Sequence, residues 1–146
     1  MIVGFTCSAF DLLHAGHLLM LEECKKYCDY LIVGLHVDPS NERRTKNSPI
    51  QSLVERYTQL RACKFVDEII PYETEGDLED ILSMRDIQYR FVGADYIDQE
   101  ITGQDICEER DIKIIYTTRD HKLSSSTLRK RIFDAESDIL RQGRGH

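Results

Sequence analysis

Residues 30–37 read Tyr30-Leu31-Ile32-Val33-Gly34-Leu35-His36-Val37, an almost unbroken apolar and β-branched run. A strand with one face in water alternates apolar and polar side chains, so a run without alternation predicts a strand covered on both faces. Upstream, Leu18, Leu21, Cys24 and Cys28 recur on one face of a helix expected over residues 15–28, and Ile2 to Thr6 gives a short buried strand ahead of it. Downstream, Asp38-Pro39-Ser40-Asn41 breaks the run, and a polar, basic loop extends through Asn47-Ser48-Pro49. Ser52, with Glu55 three residues on, predicts the capped start of a helix reaching about Lys64. Further strands are expected at residues 68–71, 90–93 and 112–117, and further helices at 77–84 and 104–110. A last helix should run from about Ser125 to Asp134, capped by one of Ser124, Ser125 and Ser126.

Strands alternating with helices imply parallel pairing through crossover connections. The expected fold is therefore α/β, a doubly wound, Rossmann-like, mostly parallel five-stranded sheet with helices on both faces. With 146 residues the chain fits one domain, with a tail from about residue 136 expected to be loosely ordered. Ligands of such sheets bind beyond the carboxyl ends of the strands. Cys7-Ser8-Ala9-Phe10, Asp38, Ala94-Asp95 and Arg119 all follow predicted strands, and the function is sought there.

Composition narrows the classes. The chain is 41% apolar and 31% charged, ordinary for a globular domain with a real core. No run of 18 apolar residues suggests a membrane span. The N-terminus lacks the basic and apolar regions of a secretory signal, so a cytoplasmic location is expected. The net charge of −7 argues against nucleic acid as the main partner. Within residues 119–131, however, Arg119, Lys122, Arg129, Lys130 and Arg131 face only Asp120, an island of +4 that leaves −11 elsewhere. Such an island suits a small polyanion such as a nucleoside triphosphate; a solvated helix face is the alternative. Cys7, Cys24, Cys28, Cys63 and Cys107 show no disulfide or metal spacing and are read as reduced thiols, mostly in the core.

The sharpest local signal is Phe10-Asp11-Leu12-Leu13-His14-Ala15-Gly16-His17, directly after the first strand. Two histidines three apart open a helix whose free N–H groups and dipole favour an anion. Imidazoles there can donate hydrogen bonds to phosphoryl oxygens, and Gly16 leaves room for close approach. Zinc ligation by the two histidines is the competing reading, but no third ligand stands at convincing spacing.

This stretch resembles the HxGH signature of the nucleotidyltransferase superfamily. The fuller similarity is to its cytidylyltransferase branch, notably the glycerol-3-phosphate cytidylyltransferases. Lys64-Phe65-Val66-Asp67-Glu68-Ile69-Ile70-Pro71 and Arg119-Asp120-His121-Lys122-Leu123-Ser124-Ser125-Ser126 resemble two further motifs of that branch, in the same order. The resemblance implies transfer of CMP from CTP to a phosphorylated small acceptor, glycerol 3-phosphate or similar, with release of pyrophosphate. An adenylyltransferase using ATP, a nucleotide-binding module without turnover and a metal- or redox-responsive protein are the alternatives.

By the same resemblance His14, His17, Lys46 and Arg119 would be catalytic. The backbone of Ser8, Ala9 and Phe10, with Gly16, Gly93, Asp95, Tyr96, Arg119, Ser124, Ser125 and Ser126, would bind the nucleotide. Asp11, Asp38 and Arg56 would face the acceptor. Mg²⁺ would be held mainly by the triphosphate, with no metal site on the protein, and a homodimer would form near residues 65–70. The chain departs from the branch at Ser8-Ala9 in place of Gly-Thr, at Gly93-Ala94-Asp95-Tyr96 in place of Gly-Asp-Asp-Trp, and at Lys122 in place of glycine. These positions bear on the acceptor and the base.

Overall fold

The computed structural model describes residues 1–42, 47–118 and 121–143. Strands β1 (Val3–Ser8), β2 (Tyr30–His36), β3 (Glu68–Tyr72), β4 (Tyr89–Gly93) and β5 (Lys113–Thr117) form one sheet in the order β3-β2-β1-β4-β5. Every pairing is parallel, with Phe5 opposite Ile32, Val33 opposite Ile69 and Arg90 opposite Ile114. Helices α1 (Ala15–Lys25), α2 (Leu53–Arg61), α3 (Glu75–Met84), α4 (Gln104–Glu109) and α5 (Ser125–Arg141) make the connections and the closing element.

The unalternating run at 31–35 serves two cores at once. Leu31, Val33 and Leu35 pack with Leu21, Cys24 and Cys28 around α1 and with Leu60 of α2. Ile32 points to the other face and joins Val3, Phe5, Leu78, Ile81 and Leu82 of the α3 side and Cys107 of α4. Gly34 marks a close approach: a Cβ there would stand 3.0 Å from the Cβ of Cys7 and 3.2 Å from the ring of Tyr72. Pro71 is tolerated because β3 is an edge strand, where a missing N–H breaks no ladder on the outer side.

Several boundaries differ from expectation. Helix α1 ends at Lys25, leaving Cys28 just beyond it, and α2 ends at Arg61 rather than near Lys64. Helix α3 starts two residues early, because Thr74 caps Asp77 in a reciprocal box. Helix α5 continues to Arg141 instead of stopping near Asp134, so the segment from 136 is helical, yet none of its 17 residues is buried. Cys24, Cys28 and Cys107 are buried thiols, while Cys7 and Cys63 are half-buried. Tyr72 and Phe91 are buried in the core, while Tyr57 is an exposed residue of α2.

Candidate functional site

The first turn of α1 is capped by its own histidines. The backbone N–H of Gly16 donates to His14 Nδ1 at 3.0 Å, and the N–H of His14 donates to His17 Nδ1 at 3.2 Å. This is the geometry of a capping box, with imidazoles in place of the usual hydroxyl and carboxylate. Each Nδ1 lone pair is thus occupied, so each neutral ring carries its proton on Nε2. Burial pushes the His17 pKa down to about 4, with neighbouring His14 adding to the effect and Asp11 opposing it. His17 is therefore an uncharged donor near neutrality.

Gly16 lies where the rings of His14 and His121 crowd the helix start. A Cβ there would stand 2.8 Å from His14 Cε1 and 3.1 Å from His121 Cε1. The missing side chain makes room for two imidazoles over the helix start. The rings of His14 and His17 lie 4.0 Å apart, and Phe10 covers His17 from 5.4 Å. Phe10 and Leu12, on either side of Asp11, adopt left-handed backbone angles, φ 50° and 53°. Non-glycine residues pay of order 1 kcal/mol or more for this conformation, and such strain clusters at functional turns.

Facing α1 is the start of α5. Ser124 caps it by accepting from Thr127 N–H at 3.0 Å. Ser125 donates to the Asp11 carbonyl at 3.1 Å, and its oxygen lies 3.4 Å from His14 Nε2. With the His14 proton on Nε2, the relay runs from imidazole to hydroxyl to carbonyl and fixes the ring. The two helix starts border a cleft of about 710 Å³ at the carboxyl ends of the strands. Of the expected site residues, the cleft collects Ser8, Ala9, Phe10, Asp11, His14, Gly16, His17, Gly93, Asp95, Tyr96, Ser124, Ser125 and Ser126. Lys46 and Arg119 lie outside the described residues.

Three expected acceptor residues are held by the protein itself. Asp11 Oδ1 accepts from Gln51 N–H, while Oδ2 accepts from Ile50 N–H and Arg129, each within 2.9 Å. Burial alone would raise its pKa, but these donors hold the carboxyl below its usual value. Arg56 is 3% exposed and lies off the cleft. Its guanidinium donates to the carbonyls of Gln51, Ala9, His36 and Val37 at 2.6–3.2 Å, so it bolts the ends of β1 and β2 together. Asp38 caps the short turn Pro39–Asn41, accepting from the N–H and hydroxyl of Ser40.

Other residues shape the site without having been singled out individually as site residues. Arg129 bridges Asp11 and the Ser48 carbonyl, and its spacing of four from Ser125 puts both on one helical face. Glu23 of α1 accepts the N–H and hydroxyl of Thr118 at 2.9–3.2 Å, fixing where the segment after β5 departs. Nothing in the local sequence around Glu23 signals this. Arg90, a lone charge in the apolar stretch 89–93, is 4% exposed and lines the cleft.

Comparison with known proteins bears directly on this arrangement. The family model described as cytidylyltransferase-like matches residues 5–131. The chain belongs to the cytidylyltransferase-like family. A bifunctional protein HldE of Campylobacter curvus is 38% identical over 136 residues, 92% of this chain and 28% of that protein. The HldE protein of Hyphomonas neptunium is 36% identical over 115 residues, 77% of this chain and 23% of that protein. The chain thus spans about a quarter of the length of these relatives. Among solved structures, a lipopolysaccharide core biosynthesis protein from Thermoplasma volcanium superimposes with a TM-score of 0.68 at 25% identity, covering 83% of this chain and 99% of that one. Pantothenate synthetase from Thermus thermophilus, at 16% identity and a TM-score of 0.57 over 98% of this chain and 71% of that one, shares the fold. In this cytidylyltransferase-like domain no helix of the described residues is long and apolar enough to cross a membrane.

Proposed function

We propose that this cytidylyltransferase-like domain transfers a nucleotidyl group from a nucleoside triphosphate to the phosphate of a small phosphorylated acceptor, with CTP as donor. The observation that carries the reading is the histidine capping box. It holds two neutral rings on the lining of a cleft that the start of a second helix also borders, with His14 Nε2 3.4 Å from Ser125 Oγ. An ionised acceptor oxygen forms a bond to the α-phosphorus as the bond to the bridging α,β-oxygen breaks, and its electron pair leaves with pyrophosphate. The nucleophile already carries its charge, so no general base is needed. Uncharged donors at His14 and His17 answer the charge that grows on the α-phosphoryl oxygens. Ser124, Ser125 and the free N–H groups of α5 suit the departing phosphates. Lys46 and Arg119 stay in this reading as cationic partners of the triphosphate on the motif resemblance.

Among the described residues no group of three His, Cys, Asp or Glu side chains is placed to hold a metal ion. When bound with the triphosphate, Mg²⁺ would neutralise part of its charge. The reading also carries a cytoplasmic setting and a homodimer through residues 65–70, the dimer supported by the resemblance of residues 64–71. Sedimentation checks the dimer.

A second reading, the same transfer from ATP, is favoured by Gly93-Ala94-Asp95-Tyr96, which lacks one carboxylate and the indole of the cytidylyl pattern. Pyrophosphate release with CTP and ATP in parallel, over a panel of phosphorylated acceptors, separates the two. Release faster with CTP supports the first reading, and faster with ATP the second. No release with any acceptor would point to a binding module without turnover.

A further inference from the structure

Helix α5 carries the pattern of a core helix without a core to bury it. Leu128, Ile132, Ala135 and Ile139 recur at spacings of four, three and four, the seam of a helix that packs against another helix. Yet none of its 17 residues is buried. Leu128 and Ile139 are half-buried, Ile132 is 49% exposed, and Phe133 and Leu140, which widen the apolar side past Glu136, are each 70% exposed. Leu128 is reachable through a recess of about 100 Å³ that it lines with Ala15, Leu123, Thr127 and Arg131. The helix is held to its domain at its start, where Ser125 donates to the Asp11 carbonyl, and Arg129 to the Asp11 carboxylate and the Ser48 carbonyl. Further along, the ion pairs Lys130–Asp134 and Arg141–Asp138 lie within the helix itself.

The charges beside the seam indicate what covers it. Arg129 and Glu136 flank it on one side, and Arg131 and Asp138 on the other, each pair seven residues apart. Both flanks are therefore basic toward the helix start and acidic toward its end. Two such helices laid parallel set basic half beside basic half and acidic beside acidic. Laid antiparallel, with Leu128 against Ile139 and Ile132 against Ala135 of the second copy, they set Arg131 against Asp138, twice by symmetry. The large Ile132 then meets the small Ala135, as interlocking layers require. An anionic lipid surface is the poorer occupant. Helices that lie on membranes carry Lys and Arg on their polar face, whereas Asp134, Glu136 and Asp138 load this half with negative charge.

We propose that α5 is a self-association surface: two copies of this chain pair through antiparallel α5 helices, about a two-fold axis that passes beside residues 133 and 134. The seam supplies the attraction, and the charge blocks set the direction. The surface is distinct from residues 65–70, which lie in and just before β3. It is also independent of the nucleotidyl-transfer reading.

Sedimentation equilibrium of the full chain, over concentrations on the order of 1 to 100 µM, tests this. The wild type should associate reversibly with a Kd on the order of 10 µM, as a short two-helix contact allows. Ile132→Asp, at a half-exposed position where Tm should not change, should weaken that step by ~100-fold or more. Arg131→Glu and Asp138→Lys should each weaken it by ~10-fold or more, since each sets like charges together twice. Mixed in equal amounts, these two variants should recover the wild-type association, because in the mixed pair the reversed residues face each other. Association through residues 65–70 would persist in every variant, so the α5 step is read separately. No association step sensitive to Ile132→Asp, charge variants that associate like the wild type, or a mixture that recovers nothing would overturn the proposal. So would a chain that does not self-associate through Ile132 but uses it to bind phosphatidylglycerol vesicles, which would assign the face to a membrane.

Discussion

The two helix starts that meet over the cleft are built in opposite ways. Helix α1 begins inside the protein: Phe10 and Asp11 before it are 1% and 6% exposed, and Leu21 within it is fully buried. Its cap is made by the groups proposed to do the chemistry. Helix α5 begins with an ordinary serine cap and runs 17 residues without burying one. The contrast assigns different work to each. The α1 start is pre-organised by strain, burial and backbone hydrogen bonds, so changes there should strike turnover. The α5 start is a lightly held anion clamp, and changes there should strike nucleotide affinity.

The largest expected effect separates the two jobs of His17. His17→Ala should lower kcat by ~10² to 10³, with much less change in CTP affinity. His17→Gln keeps an acceptor for the His14 N–H, as glutamine does in ordinary capping boxes, so its Tm should match the wild type while kcat still falls. A His17→Gln variant with near-normal kcat would mean that the histidine only caps. Next comes Asp11→Ala, which strands two backbone N–H groups and the Arg129 cation, whose side chain is only 26% exposed. Unfolding in urea should show a loss of about 3 kcal/mol.

Acid should expose the burial of His17. Its folded pKa, about 4, lies below the ordinary 6.5, so between these values the unfolded chain takes up a proton that the folded one refuses. Its contribution is intact above pH 6.5 and is lost as pH falls toward 4, on the order of 2 kcal/mol. Urea midpoints against pH should show this slope in the wild type and a shallower one in His17→Gln. Smaller again, Ser124→Ala should cost about 1 kcal/mol of helix capping and weaken CTP binding. Lys130→Ala should do almost nothing to CTP affinity, because Lys130 is exposed, lies beyond the first turn and pairs with Asp134 at 2.9 Å. Equal weakening by Ser124→Ala and Lys130→Ala would replace the clamp with a diffuse basic patch.

Much of this was legible in residue order. The apolar run at 31–35 announced a two-faced strand, and the histidines after the first strand announced a helix start. The way those histidines are held was not legible, because a capping box is recognised by hydroxyls and carboxylates, and imidazoles seldom fill it. Arg56, which the resemblance placed near the acceptor, donates to four backbone carbonyls that no local sequence pattern shows. Helix α5 outran its expected end because its second half, acidic at Asp134, Glu136 and Asp138, makes no core contact, leaving no buried face to mark a boundary. Glu23 and Arg129 act between segments about 95 and 118 residues away in the chain, which no local pattern encodes.

The central claim is that two backbone-held, uncharged imidazoles on the cleft lining carry their protons on Nε2. Long-range ¹⁵N–¹H NMR of the histidine side chains, recorded from pH 4 to 8, reads this directly. The wild-type chain should show His14 and His17 at pH 7 with bare Nδ1 and protonated Nε2, and His17 should stay neutral until the pH approaches about 4. A His17 that titrates near 6.5, or that carries its proton on Nδ1 at pH 7, would contradict the account.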